Sequence, residues 1–199
     1  MSSWTKIAHQ TLGSAGTLTA DWSSLGKNYR HLKVRCWIKN AGNGNAICYR
    51  FNDDTGSNYG SKRKFCSTGS HSVGTGTSTT FMNTGMDSHN SDHMVEMDIA
   101  NPSGNFHKLT IGSVSGWKDD VVGFEFRGRW QGGNQINKIT CKLEFAVNIA
   151  SGSHITVWGA DDNATTPIYP NLPKGIIFED TSDGKHYMWD GVSAWNVIT

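Results

Sequence analysis

The chain has 199 residues, a formal net charge of +1, 36% hydrophobic and 18% charged residues, 23 glycines and 8 tryptophans. That length holds one substantial core with room for a small appendage. Low charge with abundant Gly, Ser, Thr and Asn is the composition of turn-rich all-β proteins, and the spread of aromatics argues against disorder.

Near-neutral charge also argues against nucleic acid as a partner, because phosphate binding needs a concentrated basic surface. Lys62-Arg63-Lys64 is the one basic cluster along the chain, and three such residues in a loop are expected to be solvated. The opening MSSWTKIAHQ has no apolar stretch of the kind a signal peptide carries, so synthesis in a reducing cytoplasm is expected. No run approaches the ~20 apolar residues of a membrane span, and no membrane partner is expected.

In chain order, residues 32–38 alternate apolar and polar, residues 40–45 turn the chain, and residues 46–51 return, which predicts a hairpin. Cys36 and Cys48 would lie on its two strands and could face each other. The four cysteines, Cys36, Cys48, Cys66 and Cys141, match no zinc or redox spacing. In a reducing compartment, buried free thiols are the expected state.

Residues 51–60 read FNDDTGSNYG. Asp53 and Asp54, with Asn52 and Asn58, could offer oxygen ligands to Ca²⁺, but the spacing is not that of an EF-hand loop. The expected role is an Asx-turn, with aspartate oxygens capping backbone amides and Gly56 taking positive φ. Asp-Thr-Gly as half of an aspartic-protease site would need a second copy or an obligate dimer.

Residues 60–92 are rich in Ser, Thr and Gly, with Phe65 and Phe81 among their few large apolar side chains. The expectation is a long surface loop that orders against a neighbouring subunit, with Phe65 and Phe81 at the contact. At its end, in the segment 87–93, Asp87, His89, Asp92 and His93 would make a metal pair only on a helix, and the surrounding Ser and Asn favour a solvated loop. Further strands are predicted over residues 94–99, 108–111, 121–130, 136–147 and 154–158, with a turn at 131–134. About eight such strands predict an all-β, jelly-roll-like two-sheet sandwich spanning residues 1–160.

Residues 161–199 read as a linker followed by a C-terminal β-meander with turn signals at Asp183-Gly184 and Asp190-Gly191. Phe178, Tyr187, Trp189 and Trp195 would form its packed side, and a meander this small must dock on something. No nucleophile elbow, P-loop or dinucleotide-binding glycine pattern is present, so neither enzymatic activity nor a cofactor is expected. Trp4, Trp22, Trp117, Trp130, Trp158, Trp189 and Trp195 could form a sugar-stacking platform, but strand-like surroundings make core or interface anchors the expected role.

Three segments carry a resemblance: Tyr29-Arg30-His31-Leu32-Lys33-Val34, Tyr49-Arg50-Phe51-Asn52-Asp53-Asp54-Thr55-Gly56-Ser57-Asn58-Tyr59, and Ile149-Ala150-Ser151-Gly152-Ser153-His154-Ile155-Thr156-Val157-Trp158-Gly159. They resemble a β-sandwich module of tailed-bacteriophage virion proteins, with its Y-x-x-L strand, its L-R-F-N-x-D-T-G-x-N-Y stretch and its SGSxITLYG closing strand. The tail from Leu172 to Thr181, with residues 185–191, is similar to a segment recurrent in phage virion proteins. The matches bracket residues 29–199, leaving residues 60–92 without a counterpart. The resemblance implies a non-enzymatic structural protein on the virion surface, most simply a capsid decoration (cement) protein. Its implied partners are the major capsid protein and further copies of itself, as trimer or dimer. A receptor-binding or fibre module that binds host glycans is the alternative. In that setting the FNDDTGSNY stretch implies a strand end and turn that fixes sandwich geometry.

Overall fold

In the computed structural model, the described residues are 4–27, 29–39, 45–67, 70–88, 92–101, 104, 106–118, 120–144, 148–160, 177–180, 185–189 and 195–197. The chain divides into two compact units, Trp4–Asp161 and a C-terminal unit holding Asp162–Thr199.

The larger unit is built from two antiparallel sheets. One has eight strands in the order β1 (Thr5–Thr11), β12 (His154–Ala160), β3 (His31–Ile38), β8 (His93–Ala100), β9 (Lys108–Lys118), β10 (Asp120–Trp130), β5 (Tyr59–Ser67) and β6 (Ser70–Thr79). The other has four, in the order β2 (Leu18–Asp21), β11 (Lys138–Leu143), β4 (Asn45–Phe51) and β7 (Met82–Ser88). Without β5, β6, β9 and β10, the order is β1-β12-β3-β8 facing β2-β11-β4-β7. Successive strands alternate between the sheets except for β4 and β7, which pair within the four-stranded one; this is the double Greek key of a jelly roll. The two remaining pairs are insertions. They are the hairpins β5–β6 and β9–β10, which join through β10 and β5 and widen the first sheet past β8.

Period-2 alternation aims one set of side chains between the sheets. Leu32, Val34, Cys36 and Ile38 on β3 and Val95, Met97 and Ile99 on β8 meet Ile47, Tyr49 and Phe51 on β4 and Ile139, Cys141 and Leu143 on β11, all buried in one cluster. Burying each such aliphatic or aromatic side chain contributes about 1.5–3 kcal/mol.

Several expectations need correction. Residues 60–92 are not a long loop, since β5, β6 and β7 occupy most of them. The pairing rests on backbone hydrogen bonds, and the glycines make room for one large side chain. A Cβ on Gly74 would lie 3.0 Å from Nη2 of Arg63, and one on Gly85 (φ +93°) would lie 2.7 Å from its Cδ. Residues 32–38 and 46–51 do not form a hairpin, because β3 and β4 sit in opposite sheets. Cys48 is one residue out of phase with Ile47 and Tyr49 and lies outside the cluster that holds Cys36, so the two thiols do not face each other. Cys36, Cys48 and Cys141 are all free and buried. The turn expected at residues 131–134 does follow β10, and the chain then enters β11 in the other sheet.

The C-terminal unit contains the antiparallel three-strand meander β13 (Ile177–Asp180), β14 (Lys185–Trp189) and β15 (Trp195–Val197). Its register sets Phe178 opposite Tyr187 and Trp189 opposite Trp195. The side chains of these four residues lie outside what is described, whereas Met188 and Val197 are exposed.

Candidate functional site

The acidic stretch after β4 folds as a tight turn in which Asp54 N–H donates to the Phe51 carbonyl at 3.0 Å. The positive φ angles fall on Asn52 (52°) and Asp53 (56°), not on Gly56. Both central residues are therefore left-handed, a conformation that Asn and Asp tolerate better than other L residues. The carboxylate of Asp54 accepts from Trp130 Nε1 at 2.6 Å, Asn58 Nδ2 at 2.9 Å and Gly56 N–H at 2.8 Å. Burial disfavours its charge, but these three donors outweigh burial and hold the carboxyl below its ordinary range. Asp53 points elsewhere and pairs with Lys138 Nζ at 2.6 Å. The two acids diverge, and no group of three or more potential metal ligands occurs among the described residues. The corner ties the end of β4 to Trp130 at the end of β10.

Around it lie two knots that the sequence reading missed. Lys108 is buried, and its ammonium spends its three donors on the carbonyls of Gly104 (2.8 Å), Phe106 (2.9 Å) and Gly132 (3.0 Å), 5.8 Å from the Trp130 ring centroid. Asn101, also buried, donates to the carbonyls of Tyr29 and Ile136 and accepts from Ile136 N–H. Single polar residues at strand ends carry no periodic signal that would have marked either one.

The other predicted candidates scatter. His93 is buried at the start of β8, on a strand and not a helix, while His89 lies outside the described residues. Phe65 packs on Phe124 of the neighbouring strand with ring centroids 4.8 Å apart, and Phe81 lies under Lys142 Nζ at 5.3 Å. Trp22 and Trp130 are core residues, whereas Trp4 and Trp37 are exposed. The side chains of Trp117, Trp189 and Trp195 lie outside the described residues.

The outward face of the enlarged sheet brings together residues that are distant in sequence. On the half formed by β1, β12, β3 and β8, opposite charges meet across strands: Lys33 pairs with Asp98 at 3.7 Å, and Arg35 pairs with Glu96. On the inserted half like charges meet as well. The Lys62-Arg63-Lys64 triplet splits, with Arg63 turned away to donate to Asn83 Oδ1. Strand alternation places Lys62 and Lys64 with Arg127 and Arg129 of β10 on the outer face. Lys62 is directly opposite Arg127, and Lys64 is opposite Glu125. None of these four cations has an ion-pair partner among the described residues.

Two adjoining grooves, of about 560 and 320 Å³, run over this surface and share Lys62 and Arg127. Val73, Ile111 and Ser113 border the larger, and Thr75, Thr77 and Arg129 border the smaller. Val73 and Ile111 are well exposed, as is Leu109 beside them. The arrangement can bind an anion at fixed, repeated positions.

No protein-family model matches the chain, and no curated protein matches its sequence.

Proposed function

We propose that the chain is a non-enzymatic structural protein of a tailed-phage virion, displayed on the capsid as a decoration protein that bridges and stabilises neighbouring capsid subunits. One observation carries this reading: the segments that resemble phage virion proteins make contacts that hold the sandwich framework in place. The Tyr29 ring lies against Gly159, so closely that a Cβ there would sit 2.5 Å from its Cγ. Tyr59 Oη accepts from Phe51 N–H at 2.9 Å, closing the second segment on itself. In the third segment, the Ser153 carbonyl accepts from Leu12 N–H at 2.9 Å and its Oγ accepts from Lys39 N–H at 2.8 Å. The resemblance thus falls on framework contacts, as in a scaffold shared for its shape. The double Greek key is also an architecture of viral capsid and lectin domains, an association of fold only.

The C-terminal unit supplies the bridging element, since a three-strand meander gains stability by burying a face on a partner. The test is copy number: quantified against the major capsid protein in purified particles, a decoration protein is present in hundreds of copies per virion. A handful of copies would instead place it at a tail or fibre. A chain ending at Asp161 should keep the sandwich melting transition and lose co-sedimentation with undecorated capsids. Full-strength binding by that truncation would remove the meander from the attachment. The alternative, a receptor-binding module for host glycans, is favoured by the cationic grooves.

A further inference from the structure

We infer that the outer face of the two inserted hairpins, β9–β10 and β5–β6, is a binding site for a linear polysaccharide bearing carboxylate groups. The inference does not depend on where on a virion the protein sits. It starts from a local conflict: Lys62 and Arg127 are directly opposite each other on adjacent strands, a like-charge placement that destabilises a sheet. With Lys64 and Arg129, four cations share this face with Glu125 as the one acid between them on β10. The same sheet solves the problem elsewhere, through Lys33–Asp98 and Arg35–Glu96. The directly opposed like-charge pair falls on the strands that are additions to the jelly roll.

Strand geometry fixes the spacing of these cations at about 7 Å along a strand and about 5 Å between strands, a two-row array. Anions repeated along a chain suit such an array, and the guanidinium forks of Arg127 and Arg129 suit carboxylates in particular. The grooves supply a channel for the chain. Gly60, Gly76, Gly112 and Gly128 lie in the groove walls, and the hydroxyls of Thr75, Thr77 and Ser113 stand beside the cations. Each groove falls within or near the ~300–1,000 Å³ range of small-ligand sites.

Other occupants fit less well. Protein interfaces deplete lysine from their cores, whereas Lys62 lines both grooves and sits at the centre of this face. Single-stranded nucleic acid stacks its bases on aromatics, and neither groove is lined by an exposed aromatic side chain.

The experiment titrates the full chain with an oligogalacturonate by calorimetry, at low and at physiological salt. Neutral dextran, poly-glutamate and single-stranded DNA serve as comparison probes. Oligogalacturonate should bind, and dextran should not. The double substitution K62Q/R127Q should weaken binding at least ~10-fold, a loss of about 1.4 kcal/mol. K6Q/K27Q, which removes the same charge from elsewhere on the surface, should leave affinity within ~2-fold. K62Q/R127Q relieves a like-charge pair, so its melting temperature should equal or exceed that of the wild type; should it melt early, K64Q/R129Q carries the same comparison. Three results would each overturn the assignment: no binding of oligogalacturonate, equal weakening by K6Q/K27Q, or tighter binding of poly-glutamate or DNA than of the glycan.

Discussion

Asp54→Ala offers the sharpest test of the turn after β4. The substitution removes the acceptor for Trp130 Nε1, Asn58 Nδ2 and Gly56 N–H at once. Hydrogen bonds to a charged group contribute roughly 1.5–3 kcal/mol each, but three bonds to one carboxylate are not additive. Water can reach the Asn58 and Gly56 donors, since these residues are half-buried, whereas Trp130 is buried in the core. A net cost of about 2–4 kcal/mol follows, which for a domain of this size lowers the melting temperature by roughly 5–15 °C. Asp54→Asn keeps the shape and one acceptor oxygen but turns an NH₂ toward donors, so its cost should fall between those of wild type and alanine. The pH dependence has a definite sign. The native carboxyl titrates below its ordinary value of 3.8, so its contribution is complete above that value. It is lost as pH falls through the lowered native pKa, and the gap between wild type and Asp54→Asn should close on acidification. Thermal melts monitored by circular dichroism from neutral to strongly acidic pH measure both effects. A shift below ~2 °C for Asp54→Ala would refute the hydrogen-bond account. A wild-type melting temperature lowered by EDTA and restored by Ca²⁺ would refute it too, making the turn a metal site.

Three further outcomes are expected. Lys108→Met leaves the carbonyls of Gly104, Phe106 and Gly132 without their donor and should cost about 2–4 kcal/mol, read from the urea midpoint of unfolding. Gly132→Ala drives a Cβ into the Trp130 ring; the overpacking should cost about 1–3 kcal/mol and alter the tryptophan near-ultraviolet circular dichroism. Burial pushes the Cys48 and Cys141 thiols well above their ordinary range, and Cys36 is fully buried. Native protein should therefore leave all three unalkylated by iodoacetamide, with modification seen by mass spectrometry only after unfolding.

Strands with one apolar face were legible in the sequence. The alternation in His31–Ile38, His93–Ala100 and His154–Ala160 states directly which side chains are buried, because period 2 is a property of the extended backbone. The Asx-turn at Asp54 was legible for the same local reason, although its left-handed residues are Asn52 and Asp53. Strands β5, β6 and β7 were not legible. The middle inner positions of β5 and β6 hold Ser61, Arg63, Gly74 and Gly76, and on β7 Met82 is followed by Thr84, so no continuous apolar stripe marks a face, and their pairing rests on backbone groups that every residue carries.

Sheet membership was also beyond the sequence, since residues 32–38 and 46–51 read as a hairpin yet β3 and β4 lie in opposite sheets. The cationic face depends on both of these hidden facts. Alternation alone separates Lys62 and Lys64 from Arg63, and separates Arg127 and Arg129 from Phe126 and Gly128. What sets Lys62 against Arg127 is the register of β5 on β10, strands more than fifty residues apart in the chain. The sequence by itself determined which face of a strand each side chain takes, because that follows from backbone geometry within a few residues. Only the tertiary structure decided which charges became neighbours, because hydrogen-bond register between distant strands is settled by how the two sheets pack and close around one core.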